Sequence, residues 1–361
     1  MYINSIKLKN FRNYEDEEIS FDKNVNIITG KNAQGKTNLI ESIYLCSFGK
    51  SFRTGRDKDL IKFNSDFCRV VVDFEKNEKS TVEMAISKEG KKAGKIEGRK
   101  IEKTSELLDN IIAVIFSPED LKIVKEDPEK RRLFINRELS QLKPSYLNCL
   151  KQYNRILAQR NAYLKENENE QNGLFVWDEK LIEYGNVLMK ERDEFIKKIS
   201  AISGNIHNNI TNGKENLTVK YRPNIKSDGS NQKDAIRNAL QDNTANDFLN
   251  GNTGKGPHKD DFEIIINNIN ARNFGSQGQQ RTAALSLKLA EIELLKEEKE
   301  DTPVLLLDDV MSELDNERQK YLIEALDGVQ LFITAAGLAD DLKRTLKNGK
   351  SIKIENGKVV K

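Results

Sequence analysis

Residues Gly30 to Thr37 read Gly-Lys-Asn-Ala-Gln-Gly-Lys-Thr, and the segments on either side limit the fold as much as the motif does. Before it, Val25-Asn26-Ile27-Ile28-Thr29 is apolar and β-branched, as a strand is. After it, Leu39, Ile40, Ile43 and Tyr44 recur at helical spacing through Phe48. Strand, glycine loop and helix in that order define a phosphate loop, in which backbone N–H groups and the positive helix end face phosphate oxygens. Gly30, Lys31, Asn32, Ala33, Gln34, Gly35, Lys36 and Thr37 are therefore the expected nucleotide-binding residues. Lys36 is placed to reach the β and γ phosphates and Thr37 to hold magnesium through its hydroxyl. The expected cofactors are ATP and Mg2+.

A second half of the site is expected far along the chain. Val304-Leu305-Leu306-Leu307 reads as a buried strand running into Asp308 and Asp309. Asp308 is the candidate metal ligand opposite Thr37. Asp309 is the candidate group that orients or deprotonates the attacking water, which gives Lys36, Asp308 and Asp309 as catalytic residues. Ahead of an amphipathic helix, Ser276-Gln277-Gly278-Gln279-Gln280-Arg281 offers a hydroxyl, free N–H groups and a helix dipole to an anion, although a plain serine N-cap would look similar.

Composition narrows the class. The chain has 361 residues, 37% of them hydrophobic and 32% charged, and no apolar run long enough to span a membrane, so the expectation is a cytoplasmic protein. Its three cysteines, Cys46, Cys68 and Cys149, lack metal spacing and read as reduced and structural. Two histidines, His207 and His258, exclude a histidine-rich zinc site, and His258 reads as structural. Net charge is only +2. Basic clusters occur at Lys88 to Lys103 and at Lys130-Arg131-Arg132, a pattern that solvated faces and DNA-binding surfaces share.

Along the chain, residues 1–120 look mixed α/β, with strand-like runs at Cys68 to Phe74, Thr81 to Ile86 and Ile111 to Phe116. From Pro128 to about Asn212, helical spacing at Leu147, Leu150, Tyr153, Ile156 and Leu157, then Leu181, Tyr184 and Leu188, predicts a helical hairpin or small helical lobe, with a polar link from Glu166 to Gly173. The Asn, Asp, Ser and Gly-rich stretch 224–255 predicts loops between short elements. Phe262 to Ile266 reads as a strand and Gln280 to Lys299 as a helix. The expected organisation is an ATPase head formed by 1–120 and 256–361, interrupted by a mainly helical lobe over 121–255.

The order of phosphate loop, Ser-x-Gly-Gln-Gln, Asp308-Asp309 and Ser312-Glu313-Leu314-Asp315 resembles ATPases of the ABC and SMC class. Within that class the chain resembles the RecF family of bacterial recombination mediators. The likeness rests on Asn10-Phe11-Arg12-Asn13-Tyr14, Lys50-Ser51-Phe52-Arg53, Ser117-Pro118-Glu119-Asp120-Leu121, Arg131-Arg132-Leu133-Phe134-Ile135-Asn136 and Gly256-Pro257-His258-Lys259-Asp260-Asp261. Two departures are Glu126-Asp127-Pro128, where a glycine often precedes the proline, and Asn136, where an aspartate is common.

The resemblance implies an α/β ABC/SMC-type P-loop ATPase head with an inserted helical lobe, weak DNA-linked ATP hydrolysis used as a switch, and an ATP-dependent homodimer. It also implies binding of single-stranded and linear double-stranded DNA or gaps, cooperation with RecR and RecO in loading recombinase, and roles in replication, repair and SOS induction. Carried over by position, Arg12 is a phosphate contact, Ser276, Gly278 and Gln279 cap ATP held by the other copy, Asp315 lies between the two sites and Thr334 is the switch residue. The alternative is the ATPase subunit of an ABC-type transporter. Such subunits carry the Ser-x-Gly signature much closer to the phosphate loop, and generally a histidine at the switch. A head with a long coiled coil would need heptads sustained well beyond the Pro128 to Asn212 segment.

Overall fold

The computed structural model describes residues 1–166, 173–226, 231–326, 328–335 and 349–360. In chain order it forms β1 (Tyr2–Phe11), β2 (Tyr14–Ser20), β3 (Val25–Thr29), α1 (Lys36–Phe48), β4 (Phe67–Glu75), β5 (Lys79–Ser87), β6 (Lys92–Ile96), β7 (Arg99–Lys100), β8 (Ala113–Phe116) and α2 (Pro118–Leu121). There follow α3 (Pro128–Leu142), α4 (Pro144–Glu166), α5 (Phe175–Ile210), β9 (Leu217–Arg222), α6 (Gln232–Asp242), α7 (Thr244–Asn250), β10 (Asp261–Ile266), β11 (Ile269–Asn270), α8 (Ala271–Phe274) and α9 (Gln277–Lys299). The chain then adds β12 (Val304–Asp308), α10 (Asn316–Glu324), β13 (Leu331–Ala335), β14 (Lys350–Glu355) and β15 (Lys358–Val360). It divides into two compact units, Met1–Leu121 with Glu291–Lys361, and Lys122–Ala290.

The first unit holds two sheets. One is antiparallel in the order β2-β1-β4-β5-β6-β7. The other runs β15-β14-β3-β13-β12-β8, with β14, β3, β13, β12 and β8 mutually parallel. Parallel strands are covered on both faces, and the continuous apolar runs Val304 to Leu307 and Leu331 to Ile333 are buried accordingly. The order matters for chemistry. Strand β13 lies between β3, which feeds the phosphate loop, and β12, which ends at Asp308, so all three strand ends meet at one carboxyl edge, where ligands bind in open α/β sheets. The basic segment from Lys88 to Lys103 supplies β6 and the edge strand β7 of the antiparallel sheet.

In the second unit α4 packs along α5, which is the helical hairpin expected from the apolar spacing, and the part of its polar link at 167–172 falls outside the described residues. Phe134 of α3, with its ring centroid 6.2 Å from that of Phe195 and 6.1 Å from that of Phe262, joins α3 to α5 and β10. Two buried cations organise the surroundings. Arg192 pairs with Asp260 at 2.9 Å and bonds Tyr146 and Asn136, while Arg160 pairs with Asp178 at 2.7 Å and Asp247 at 2.6 Å. Asn136, one of the two departures from the family pattern, accepts hydrogen bonds from Arg192 and from Tyr146 at 2.9 and 2.7 Å. Strand β10 pairs with β9 at Phe262↔Tyr221, so the unit runs on to Ala290, past the break that the sequence places at 255.

The stretch 224–255, expected as loops between short elements, contains the helices α6 and α7. Asn231 caps α6 by accepting the Lys233 N–H, and Ile236 and Leu240, four apart, are buried on one face, so cap chemistry and a single apolar stripe outweigh the polar composition. Within the second basic cluster Arg131 is not a solvated cation. It is 3% exposed and grips Asp261 through two bonds of 2.6 and 3.0 Å. All three cysteines are free thiols. No described helix is long and apolar enough to cross a membrane.

Candidate functional site

The phosphate loop is built by backbone conformations that most side chains avoid. Gly30 has φ 149°, and a Cβ there would lie 2.3 Å from the Ile354 carbonyl oxygen of β14. Gly35, at φ 117°, sits where a Cβ would meet the Asn13 amide at 2.7 Å. Ala33 between them is left-handed at φ 63°. Side chains from elsewhere brace the loop. Asn13 Nδ2 donates to the Gln34 carbonyl at 2.8 Å and its Oδ1 accepts from Asn38, while the Tyr14 hydroxyl donates to the Gly35 carbonyl at 3.0 Å. From the other side the Asn356 N–H donates to Gln34 Oε1 and the Gly357 N–H to the Gln34 carbonyl. Lys31, Asn32 and Ala33 at the tip are exposed. The Lys36 ammonium lies against the loop, donating to the carbonyls of Gly30 at 2.7 Å and Lys31 at 3.0 Å.

The carboxyl edge of the parallel sheet brings Thr37, Asp308, Asp309 and Thr334 together. Asp308 Oδ1 accepts the Thr37 hydroxyl at 2.8 Å and the Thr334 hydroxyl at 2.9 Å, and Thr334 Oγ1 in turn accepts the Asp309 N–H at 2.9 Å. The register explains the bridge, because Thr334 pairs with Asp308 on one side and with Ile28 on the other. Burial raises the Asp308 carboxyl above its ordinary pKa, against the two hydroxyl bonds and Arg53, which lower it; neighbouring Asp309 raises it further. Asp309 is exposed and left-handed at φ 55°, so its carboxylate leaves the strand end while its backbone stays pinned by Thr334. The oxygens suit magnesium. Adjacent ligands of an octahedral ion at 2.0–2.1 Å lie roughly 2.9 Å apart, close to the 2.8 Å separation of Thr37 Oγ1 and Asp308 Oδ1.

Other expected residues stand elsewhere. Arg12 is left-handed at φ 54° and its guanidinium forms two 2.8 Å bonds to Glu41 of α1, with a third bond to the Asp59 carbonyl. Glu41 is wholly buried and also accepts the Ser51 hydroxyl at 2.5 Å, so Arg12 neutralises a carboxylate beneath the phosphate-loop helix. Asp315 caps α10 by accepting the Arg318 N–H at 3.0 Å and pairs with the Arg318 guanidinium. Ser276, Gly278 and Gln279 belong to the second unit, at the start of α9. There Ser276 Oγ accepts the Gln279 N–H at 3.2 Å and Gln279 Oε1 accepts the Ser276 N–H at 2.9 Å, a reciprocal capping box. Ser276 and Gln277 remain exposed.

His258 is the acceptor of the Tyr153 hydroxyl at 2.7 Å and faces the Thr253 carbonyl at 2.8 Å, which fixes the Nε2-protonated neutral ring. Burial pushes its pKa down to about 4, and both nitrogens are engaged, which fits a structural role. Sequence reasoning missed the bracing by Asn38 and Glu41 and the contact of Gln279 with Glu215, whose Oε1 accepts Gln279 Nε2 at 2.9 Å. The helical positions of Asn38 and Glu41 were legible, but their partners Asn13 and Arg12 lie in the turn between β1 and β2, beyond any local pattern.

Comparison with known proteins places these features in a family. Residues 2–345 match the family model described as the RecF/RecN/SMC N terminal domain. The chain is 47% identical to the DNA replication and repair protein RecF of Clostridioides difficile (strain 630), covering 100% of this chain and 98% of the relative. It is 46% identical to the protein of the same name from Clostridium acetobutylicum, covering 99% of both. A solved structure of the recombination mediator protein RecF-ATPrS in the RecFOR pathway superposes with a TM-score of 0.92 at 38% identity, covering 99% of this chain and 97% of that one.

Proposed function

The chain belongs to the RecF family of DNA replication and repair proteins, and from that premise we propose that it is an ATP-driven DNA-binding switch of recombinational repair. The observation that carries the reading is the junction of Thr37, Asp308, Thr334 and Asp309 at the carboxyl ends of β3, β12 and β13. ATP is taken as the ligand because the relative of TM-score 0.92 is described with an ATP analogue and a second, of TM-score 0.90, with ATP.

In this reading Lys36 leaves the loop carbonyls for the β and γ phosphates, and the N–H groups of the loop from Lys31 to Thr37 hold their oxygens. Thr37 and Asp308 hold magnesium, which supplies charge neutralisation on the phosphates. Asp309, exposed and pinned by its backbone, accepts the proton of the attacking water or orients it. Arg12 acts on the nucleotide end through Glu41 and α1 and offers the phosphates its remaining N–H groups. Ser276 and Gly278 cap the ATP of a second copy, so two ATPs are shared between two chains, with Asp315 in the loop between them.

Hydrolysis is slow and serves to release the dimer, because ATP favours the dimer only by the excess of its affinity for that state. The partners are single-stranded and linear double-stranded DNA or gaps, RecR and RecO, and the setting is the cytoplasm, with consequences for replication and SOS induction. The family found consists of repair proteins, so the transporter-subunit alternative is set aside. The deciding experiment is sedimentation of the protein with gapped DNA, with and without ATP and magnesium, at two salt concentrations. The expected result is an ATP-dependent dimer on DNA that weakens as salt rises, because phosphate contacts release counterions. ATP-driven dimers that leave DNA unbound at low salt would overturn the DNA-switch reading.

A further inference from the structure

We propose that Glu215 and His207 form a bracket that positions the anion-binding turn of α9 through the side chain of Gln279, an inference that rests on the reading of Ser276 as the cap for a second copy's ATP. The contacts form an unbroken series. Gln279 Oε1 accepts the Ser276 N–H at 2.9 Å, and Gln279 Nε2 donates to Glu215 Oε1 at 2.9 Å. Glu215 Oε2 lies 3.0 Å from His207 Nε2, and His207 Nδ1 lies 3.1 Å from the Ser286 hydroxyl, about two turns further along α9.

Donor counting fixes one role. A carboxylate only accepts, so His207 Nε2 carries a proton and donates it to Glu215. His207 Nδ1 faces the Ser286 hydroxyl, which also reaches the Thr282 carbonyl at 2.8 Å, so both ring nitrogens of the fully buried His207 are engaged.

The same counting fixes Gln279. Its amide oxygen faces an N–H and its amide nitrogen faces a carboxylate, so a flipped amide would lose both bonds. With its amide fully committed, Gln279 is a positioning residue rather than a ligand of the nucleotide. It ties the Ser276 turn to the end of the 36-residue helix α5, and leaves the exposed Ser276 hydroxyl, whose oxygen accepts in the long 3.2 Å cap bond, its proton to donate to a phosphate oxygen. Any displacement of α5 reaches the turn through this bracket.

The test is an ATP titration of dimerisation by sedimentation for the full chain and for Glu215→Ala, Glu215→Gln and Ser276→Arg. ATP binding at concentrations too dilute for dimers, and thermal melting, are measured alongside. Loss of a charge-assisted bond predicts that Glu215→Ala needs about tenfold more ATP for half-maximal dimerisation, with dilute-solution ATP affinity within about twofold of the parent. Glu215→Gln keeps an acceptor for the Gln279 amide and restores most of the parent's ATP dependence, a rescue that general loss of packing does not give.

If Ser276→Arg fails to dimerise while Glu215→Ala dimerises at the parent's ATP concentration, the bracket is overturned and the cap stands. If Ser276→Arg itself dimerises normally, the cap reading falls and the bracket with it. Should Glu215→Ala fail to fold, Gln279→Met makes the same test with the Glu215–His207 pair intact, and parental ATP dependence there overturns the bracket.

Discussion

At the start of α1, the loop from Gly30 to Thr37 is held by Asn13, Tyr14 and Asn38 on one side and Asn356 and Gly357 on the other, while Asp308 and Thr334 close over Thr37. At the start of α9, Ser276 is exposed and its side chain takes part in its own capping box, backed by Glu215. Both are helix N-termini able to face phosphate. The first has its geometry fixed in advance by many partners, so binding there loses little ordering entropy. The second keeps a long, weak bond that an incoming anion can replace. A site that must hold ATP in a single chain gains from the first construction. A surface that must engage and release a second copy gains from the other.

The largest effects expected are therefore at the first end. Gly30→Ala places a methyl 2.3 Å from the Ile354 carbonyl at a φ of 149°, and both the clash and the strained backbone oppose it. We expect a loss of about 4 kcal/mol in folding stability, read by denaturant unfolding. A loss below about 1 kcal/mol would mean that β14 yields easily and that the loop is less rigidly held than the comparison requires. Lys36→Ala comes next. It should leave the melting temperature near that of the parent while lowering ATP affinity by about a hundredfold or more, because a buried charge-assisted contact to phosphate is lost. Ordinary ATP affinity in Lys36→Ala, measured by calorimetry, would remove the phosphate-loop assignment.

Whether these features were legible in the sequence depends on how local they are. The phosphate loop was legible because strand, glycines and helix are consecutive. Asp308 was legible because an apolar strand ran into it. The bridge through Thr334 was not, since it depends on β13 lying between β3 and β12, and strand order is a property of the whole sheet. The resemblance marked Thr334 as a switch residue without supplying that reason. Arg12 was read toward phosphate, but its main partner, Glu41, sits on the buried face of α1, and nothing local in the sequence paired the two. Within 224–255 the short elements were expected, but the surrounding Asn and Asp left their helical type undecided although Ile236 and Leu240 stand at helical spacing in α6.

Asp308→Asn tests how much the first construction costs the fold. Burial disfavours the ionised carboxylate, as its raised pKa records, and an asparagine Oδ1 still accepts the hydroxyls of Thr37 and Thr334. The variant should be more stable than the parent by about 1 kcal/mol in metal-free buffer at neutral pH and should lose ATP hydrolysis, the usual trade between a functional charge and the fold. Calorimetric melting checks the sign. A variant less stable than the parent would mean that the carboxylate contributes to the fold and is not a charge retained for the metal.

Ser276→Ala carries the smallest stability effect and sharpens the comparison most. Removing an N-cap hydroxyl typically costs about 1 kcal/mol, but here the bond is long and exposed, and Gln279 still holds the Ser276 N–H from its own side chain. The loss should therefore stay below about 0.5 kcal/mol, well short of the effect at Gly30. Dimerisation is expected to respond more strongly. If the hydroxyl is handed to phosphate in the dimer, the variant should need several-fold more ATP to dimerise even though its fold is almost unchanged, because the bond it loses belongs to the assembled state. Equal, small changes in both measurements would make Ser276 an ordinary helix cap, and the contrast between the two helix ends would then reflect only their depth of burial.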